Sequence, residues 1–251
     1  MRGRRYKIES AKPLFYMITC PHTYNGRSYY GKQNYKCRYC CRQAVERKPE
    51  RLYCGDELLG SLLLERTSLR AIARILKVSL GWLVPRVKAL WQQAGEQLPL
   101  GNLDEAEVEL LCLEADEQWS FMGAKDCPVW LWLAVERRTG LVVGFHLGER
   151  NTEGAKGLWL SIPQKLREKA LIFTDGPEAY GAVFAKGQHQ AEGKKGTTRM
   201  ERLNNTLRQR CARLVRKTLS FSRSWENHRL AVRYFLYNYN YNKLAKTPSL
   251  L

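Results

Sequence analysis

The stretch VELLCLEADEQW, residues 108–119, is an apolar run that ends in acidic residues. Its alternation of apolar and polar side chains is typical of a β-strand with one face against a core. Alternation places Glu114 and Asp116 on one face of this strand and Glu117 and Trp119 on the other. We therefore interpret residues 108–119 as the first strand of a sheet, with the acidic residues near the end of that strand.

The elements that follow this strand predict the fold. VWLWLAVERRTGLVVGFHL, residues 129–147, predicts two strands joined by a turn, and residues 152–168 predict a helix that is interrupted at Pro163. KALIFTDG, residues 169–176, predicts a buried strand, and PEAYGAVF, residues 177–184, opens a further helix at its proline. This is the order of an α/β ribonuclease H-like fold, in which a mixed sheet pairs its fourth strand with its first.

Two aspartates come together in such a fold. Strands one and four lie side by side, so we expect Asp116 and Asp175 to face each other at the strand ends. Facing carboxylates repel each other unless a divalent cation lies between them, and the pattern implies Mg²⁺ or Mn²⁺. Glu114 is a supporting residue or a substitute ligand, because it lies on the same face as Asp116 but farther from the strand end.

The stretch RMERLNNTLRQRCARLVRK, residues 199–217, contains seven Lys and Arg side chains and one carboxylate, that of Glu201. Its apolar residues recur at helical spacing and predict one continuous helix that docks on the sheet. They are Met200, Leu203, Leu207, Cys211 and Leu214. Along one edge of this stripe lie Glu201, Asn204, Asn205 and Arg208.

Glu201 can be explained in two ways. Taken alone, it is an acid that complements the helix dipole. Taken together with Asp116 and Asp175, it is the third carboxylate of a metal site, with Asn205 and Arg208 as supporting residues. The cations around it, including Arg202 and Arg213, are then available to hold a DNA backbone.

The net charge of +18 is spread unevenly. Residues 1–100 have 19 Lys and Arg against 7 Asp and Glu, residues 101–200 have 12 against 15, and residues 201–251 have 11 against 2. Basic ends attract a polyanion, most often nucleic acid, whereas an acidic middle facing that polyanion needs cations to neutralise it. The charge pattern therefore favours metal-dependent chemistry on nucleic acid, against the alternative of a merely soluble basic protein.

The longest apolar run, VWLWLAV at residues 129–135, is too short to span a bilayer, so no membrane association is expected. No signal peptide is evident, and we expect a cytoplasmic, nucleoid-associated protein. In that compartment, eight cysteines argue against a disulfide framework.

Residues 14–48 predict a small metal-stabilised module, with C-x-x-C as one half of a tetrahedral zinc site. The candidate Zn²⁺ ligands are Cys20, His22, Cys37 and Cys40. Thr23 stands where a second cysteine of the other half would be, so His22 supplies the fourth ligand, Cys41 helps, or the site is degenerate. The alternative is that these cysteines only pack a small apolar module.

Residues 56–93 have helical periodicity and predict a helix-turn-helix, with Thr67 as an N-cap. Such a unit resembles DNA-binding modules whose second helix enters the major groove, whereas the alternative is a plain three-helix packing module. Pro85 is expected to kink or shorten that second helix. Cations available for DNA contacts are Arg70, Arg74, Arg86 and Lys88. Residues 94–107 are the expected linker to a ribonuclease H-like domain at 108–251.

Together these motifs resemble transposases of the insertion sequence one family, most strongly from Leu113 to His228. The resemblance is carried by CPH, YKCRYC, EADEQWSFMGAK, FTDG and RMERLNNTLRQRCARLVRKTLSFSRSWENH. It implies an acidic triad of Asp116, Asp175 and Glu201, with Arg208 where such transposases place a basic residue near the active site. It also implies an N-terminal zinc finger and a helix-turn-helix that bind the terminal inverted repeats of the element.

The chain departs from the family pattern in three places. Thr23 replaces a cysteine, the segment GQHQAEGKKGTT at residues 187–198 is polar and short where a fifth strand or its loop belongs, and Pro85 interrupts the second helix. These departures leave the three acids in place. They affect the expected affinity for zinc and the expected recognition of the element ends.

The activity implied by the resemblance is that of a DDE transposase, which cleaves DNA at the element ends and transfers the strands to target DNA with Mg²⁺ or Mn²⁺. Two element ends must be paired, so a homo-oligomer on DNA is expected. The alternatives are a catalytically silent DNA-binding regulator of the element and a ribonuclease H-like nuclease.

Overall fold

The computed structural model describes residues 22–27, 31, 33–45, 55–103, 110–175, 178–185, 187–191 and 198–247. The chain separates into two compact units, Met1–Arg51 and Leu52–Leu251. In the described part of the chain, no helix is long and apolar enough to cross a membrane.

The first unit contains a three-stranded antiparallel sheet of β1 (His22–Arg27), β2 (Gln33–Cys37) and β3 (Gln43–Val45). In its register, His22 lies opposite Cys37. Sγ of Cys37 accepts hydrogen bonds from the backbone N–H groups of Tyr39 and Cys40 at 3.4 and 3.5 Å, which makes the C-x-x-C a tight turn around that sulfur. Cys20 and the side chain of His22, the other predicted ligands on this side, lie outside the described residues.

The second unit begins with three helices, α1 (Gly55–Leu63), α2 (Leu69–Ile75) and α3 (Leu80–Gln93). Ser68 caps α2 by accepting a hydrogen bond from the N–H of Ala71 at 3.1 Å. The prediction of Thr67 as the cap was wrong, because α2 begins at Leu69, one residue later than the pattern indicated. Whether these helices act as a DNA-binding helix-turn-helix stays a prediction.

Pro85 does not shorten α3, which was one of the two effects expected from the sequence. The helix is continuous from Leu80 to Gln93 with Pro85 inside it. Proline has no N–H to donate to the carbonyl of Gly81, but both residues are exposed, so water can bond to that carbonyl. The cost of the missing bond is thereby reduced, and the helix persists.

A five-stranded mixed sheet forms the centre of the second unit. Its strands are β4 (Leu111–Met122), β5 (Ala124–Glu136), β6 (Val142–Gly148), β7 (Ala170–Thr174) and β8 (His189–Ala191), in the spatial order β6-β5-β4-β7-β8. The first three are antiparallel, β7 is parallel to β4, and β8 is parallel to β7. This mixed sheet fits the predicted ribonuclease H-like fold, and the polar segment after residue 187 supplies a short fifth strand.

Helices cover both faces of the sheet. α4 (Thr152–Ser161), α5 (Gln164–Arg167) and α6 (Glu178–Gly181) contribute Leu158, Leu166 and Tyr180 to the core on one face. α7 (Thr198–Arg210) and α8 (Trp225–Lys246) pack on the other. The predicted continuous helix through Leu214 ends at Arg210, and a 3₁₀ turn follows at Ala212–Leu214. Cys211 and Leu214 still pack in the same core as α7.

α8 contributes to three apolar cores, and its Leu244 packs in the core shared with α4, α5 and α6. Val232, Phe235 and Leu236 pack on the sheet together with α7. Leu230 and Ala231 instead pack against the buried side chains of α1, α2 and α3. In the segment predicted as a linker, Leu98, Leu100 and Leu103 pack against the sheet core. The three helices are therefore joined to the sheet by shared apolar packing as well as by the chain.

Candidate active site

Asp116 and Asp175 come level with each other on neighbouring strands. β4 and β7 are parallel, and their register pairs Glu114 with Phe173, so each aspartate stands two residues further along its strand. Neighbouring strands are about 4.8 Å apart, and level residues of parallel strands point to the same face. Asp175 directly follows β7 and is exposed. The two carboxylates therefore lie side by side where the pairing of β4 with β7 ends. The prediction that both lie at strand ends was wrong for Asp116, because β4 continues to Met122 through its pairing with β5.

The carboxyl group of Asp116 is destabilised in its charged form. Burial raises the pKa of Asp116 from 3.8 to about 6, and the charges of Glu117 and Asp175 act in the same direction. Hydrogen bonds from the N–H of Glu117 and from the amide of Asn204, both 2.7 Å long, act in the opposite direction. A cation bound beside Asp116 would relieve this accumulation of negative charge.

Two hydrogen bonds fix α7 along β4. In the first turn of α7, the N–H of Met200 donates to Oε2 of Glu114 at 2.8 Å. One turn later, Nδ2 of Asn204 donates to Oδ2 of Asp116 at 2.7 Å. Four helical residues rise about 6 Å and two strand residues about 6.7 Å, so the two spacings match and the helix follows the strand.

Glu114 lies on the same face as Asp116, as strand alternation predicted, and its partners are structural. Besides capping α7, its buried carboxylate pairs with Arg137 at 3.2 Å. The Arg137 guanidinium lies 3.7 Å from the centre of the Phe173 ring. A buried acid with these partners holds the start of α7 against the sheet.

Of the other predicted residues of α7, only Arg208 interacts with Asp116 in the described part of the chain. Glu201 and Asn205 are exposed. Burial lowers the pKa of Arg208, the charge of Arg216 lowers it further, and the nearby Asp116 carboxylate acts in the opposite direction. Across the described residues, no three His, Cys, Asp or Glu side chains are grouped closely enough to hold a metal ion. The structure thus brings Asp116 and Asp175 together without grouping Glu201 with them.

Asn204, rather than Asn205, is the amide that contacts Asp116. The sequence pattern set both at the edge of the helix but assigned the supporting role to Asn205. Oδ1 of Asn204 is buried and has no hydrogen-bond partner within the described residues. A buried amide oxygen without a partner, on the side chain that contacts Asp116, can accept a hydrogen bond or bind a cation.

Glu117 is an acid to which the sequence interpretation gave no role. Its side chain is 2% exposed, pairs with Arg150 at 2.6 Å and accepts a hydrogen bond from the Tyr180 hydroxyl at 3.1 Å. Burial raises the pKa of Tyr180 well above its usual value, and the charges of Glu117, Asp116 and Asp175 add to this effect. Alternation predicted that Glu117 faces away from Asp116, but no sequence pattern indicated its pairing with Arg150.

The oxygen atoms around Asp116 and Asp175 suit a hard divalent cation. Asp116 and Asp175 offer carboxylate oxygens, and Asn204 offers a buried amide oxygen without a partner in the described part of the chain. Mg²⁺ and Mn²⁺ prefer such oxygen ligands. Glu201, one turn before Asn204, is an exposed acid on the same stretch of α7.

The basic residues predicted to contact DNA fall into three settings. Arg86 and Lys88 form ion pairs with Asp56 and Glu226 at 2.8 and 3.2 Å. Arg213 is packed over a tryptophan ring, with 4.9 Å between the guanidinium carbon and the ring centre. Arg70, Arg74 and Arg202 are exposed and form no ion pair within the described residues.

Comparison with known proteins identifies the second unit. A family model described as IS1 transposase matches residues 109–242, which include β4 to β8, α7 and most of α8. The insertion element iso-IS1n protein InsB of Shigella dysenteriae is 40% identical over 130 residues, which are 51% of this chain and 95% of that protein. The insertion element IS1 2 protein InsB of Escherichia coli (strain K12) is 39% identical over 127 residues, 51% of this chain and 74% of that protein.

The family match covers more than half of the chain and contains both aspartates, Glu201 and the strand order that aligns them. The relatives are matched over most of their own length. The chain therefore belongs to the IS1 transposase family.

Proposed function

We propose that the protein binds the terminal inverted repeats of an insertion sequence and performs metal-dependent DNA strand cleavage and strand transfer. The observation that carries this proposal is the level placement of Asp116 and Asp175 on adjacent parallel strands. Membership of the transposase family supports it, because transposition requires breaking and joining of phosphodiester bonds. Asp116, Asp175 and Glu201 are the proposed metal ligands.

Mg²⁺ or Mn²⁺ bound at these ligands would supply an activated nucleophile and stabilise the leaving oxygen. The surrounding side chains orient the ligands and attract the DNA phosphate. Asn204 orients the Asp116 carboxylate through its 2.7 Å hydrogen bond. Arg208, close enough to Asp116 for their charges to interact, attracts the phosphate that is to be cut. Glu114 keeps α7, and with it Glu201 and Arg208, in register with the strand.

The proposed partners are two DNA molecules, the element ends and the target DNA. The exposed Arg70 and Arg74 of α2 support duplex binding by the three helices, and the opposition of His22 and Cys37 supports a zinc-stabilised small sheet. Two element ends must be held together for joining, so the active form is proposed to be a homo-oligomer on DNA.

Joining of labelled element-end DNA in the presence of Mg²⁺ tests the proposal. The intact chain should join the ends to target DNA, and Asp175→Asn should bind the ends but neither cut nor join them. Asp126→Asn is the matched control, because Asp126 is an exposed aspartate near the start of β5 and should leave joining unchanged.

Two other outcomes would replace the proposal. Binding without any metal-dependent reaction in the intact chain would identify a regulator that occupies the element ends. Hydrolysis without joining would identify a nuclease of the same fold.

A further inference from the structure

An open groove of about 600 Å³ lies between α2 and the loop that follows α7. This volume is in the range of pockets that bind ligands, roughly 300–1,000 Å³. The arginines that line the groove are Arg70, Arg74, Arg213 and Arg223. No aspartate or glutamate is among the described residues that line it. The groove is therefore strongly positive and suits an anionic occupant.

Three of these arginines are available to a ligand. Arg70, Arg74 and Arg223 are exposed, and none of them forms an ion pair with a carboxylate of the described residues. Arg213 differs, because its guanidinium donates a 2.6 Å hydrogen bond to Oγ of Ser222 and lies over the Trp91 ring. The groove thus combines three exposed guanidinium groups with one that is held by a hydrogen bond and a ring contact.

The loop side of the groove is apolar as well as basic. The Leu219 side chain is 97% exposed and offers apolar surface to a ligand. Phe221, two residues later, is half-buried and packs on Phe121 with 5.6 Å between the ring centres. Apolar surface next to arginines matches a ligand that has both flat apolar faces and negative charge.

We propose that this groove binds an unpaired segment of the DNA substrate, with its phosphates on the exposed arginines and a base against Leu219 and Phe221. The proposal rests on the proposed function for the identity of the polyanion. A duplex can place phosphates on the arginines, but its base faces are stacked on each other and cannot reach the apolar part. Only unpaired nucleotides use both halves of the groove.

The position of the groove fits a strand that leaves the active site. The loop begins directly after α7, whose Arg208 interacts with the charge of Asp116. Arg216, in the same loop, lies close enough to Arg208 for their charges to interact. Positive charge therefore continues from the carboxylates along α7 to the loop that lines the groove.

Binding of a fluorescein-labelled oligothymidylate and of a blunt duplex of the same length, measured by anisotropy without metal, tests the groove. Leu219→Glu in the full chain should weaken oligothymidylate binding about tenfold and duplex binding less than about twofold. Leu160→Glu is the matched control, because Leu160 is an exposed leucine on α4 and introduces the same charge elsewhere. Equal weakening of both probes by Leu219→Glu, or no weakening, would overturn the proposal.

A second pair of variants tests the charged half. Arg223→Ala should reduce the slope of log affinity against log salt for the oligothymidylate by about 0.7, as expected for one lost phosphate contact. Arg229→Ala, at an exposed arginine of α8 that does not line the groove, should leave the slope unchanged. Equal slopes for the two variants would remove Arg223 from the binding surface and contradict the proposal.

These measurements separate the groove from the chemistry. In one outcome, the intact chain fails to join DNA while Leu219→Glu still selectively weakens oligothymidylate binding. That result would support the groove proposal and contradict the proposed strand transfer. If the intact chain joins DNA and Leu219→Glu weakens binding of oligothymidylate and duplex equally or not at all, only the groove proposal is contradicted.

Discussion

The side-chain amide of Asn204 donates a 2.7 Å hydrogen bond to Oδ2 of Asp116 and so joins α7 to β4 at the level of Asp175. This bond opposes the effect of burial on the pKa of Asp116. Asn204 thereby orients the carboxylate and helps to keep it charged near neutral pH.

Asn204→Ala should slow strand joining by roughly 10- to 100-fold and raise the Mg²⁺ concentration needed for half-maximal rate. The reason is that Asp116 loses the donor that orients it. Asn205→Ala is the control, because this neighbouring asparagine is exposed and should leave both quantities unchanged. The two variants would be distinguished by the joining rate as a function of Mg²⁺, and equal losses in both would contradict a positioning role for Asn204.

Glu114→Gln should destabilise the fold by about 3 kcal/mol, because it leaves Arg137 without its buried partner and weakens the cap of α7. Glu201→Gln, at an exposed position of the same helix, should change stability by less than about 0.5 kcal/mol and abolish joining. Urea denaturation and the joining assay measure the two effects. A stable Glu114→Gln variant, or an active Glu201→Gln variant, would refute the respective assignment.

Asp116 should make the metal-free protein less stable as the pH rises. Its folded pKa of about 6 is above its unfolded value of about 3.9, so folding favours the protonated form. That stabilisation is complete below about pH 4 and is lost as the pH rises through 6. The melting temperature of the metal-free protein should therefore fall more steeply over this range than that of Asp116→Asn, and parallel curves would contradict the raised pKa.

His22→Ala should reduce the zinc content of the purified protein, because His22 lies opposite Cys37 in the small sheet. Thr23→Ala, at the next position of the same strand, should retain the zinc of the unaltered chain. Elemental analysis of metal per protein chain measures this. Equal zinc in both variants would remove His22 from the ligands, and absence of zinc from the unaltered chain would remove the site.

The strand order could be predicted because each buried strand is a distinct apolar run in the sequence. Asp116 within β4 and Asp175 directly after β7 are then level by topology, however far apart they are in the chain. β8 could not be predicted with the same assurance, because its three residues have no apolar pattern. It is held by pairing with β7 and by a 2.8 Å hydrogen bond between the side chains of Thr174 and His189.

The choice between Asn204 and Asn205 lay beyond the sequence for a different reason. Successive helical residues point about 100° apart, so the facing side chain depends on the rotation of α7 on the sheet. That rotation is fixed by the bond from Met200 to Glu114, a contact between residues 86 positions apart in the chain. No local pattern contains this information.

Because α8 packs on the sheet through one side and on the three N-terminal helices through Leu230 and Ala231, these helices are not an exchangeable cassette. A chimaera that takes residues 55–93 from a relative would bury mismatched side chains, unless the α8 residues that contact these helices, including Leu230 and Ala231, are exchanged with them. Within this lineage, substitutions in the buried faces of these helices are therefore expected to have been accompanied by compensating substitutions in α8.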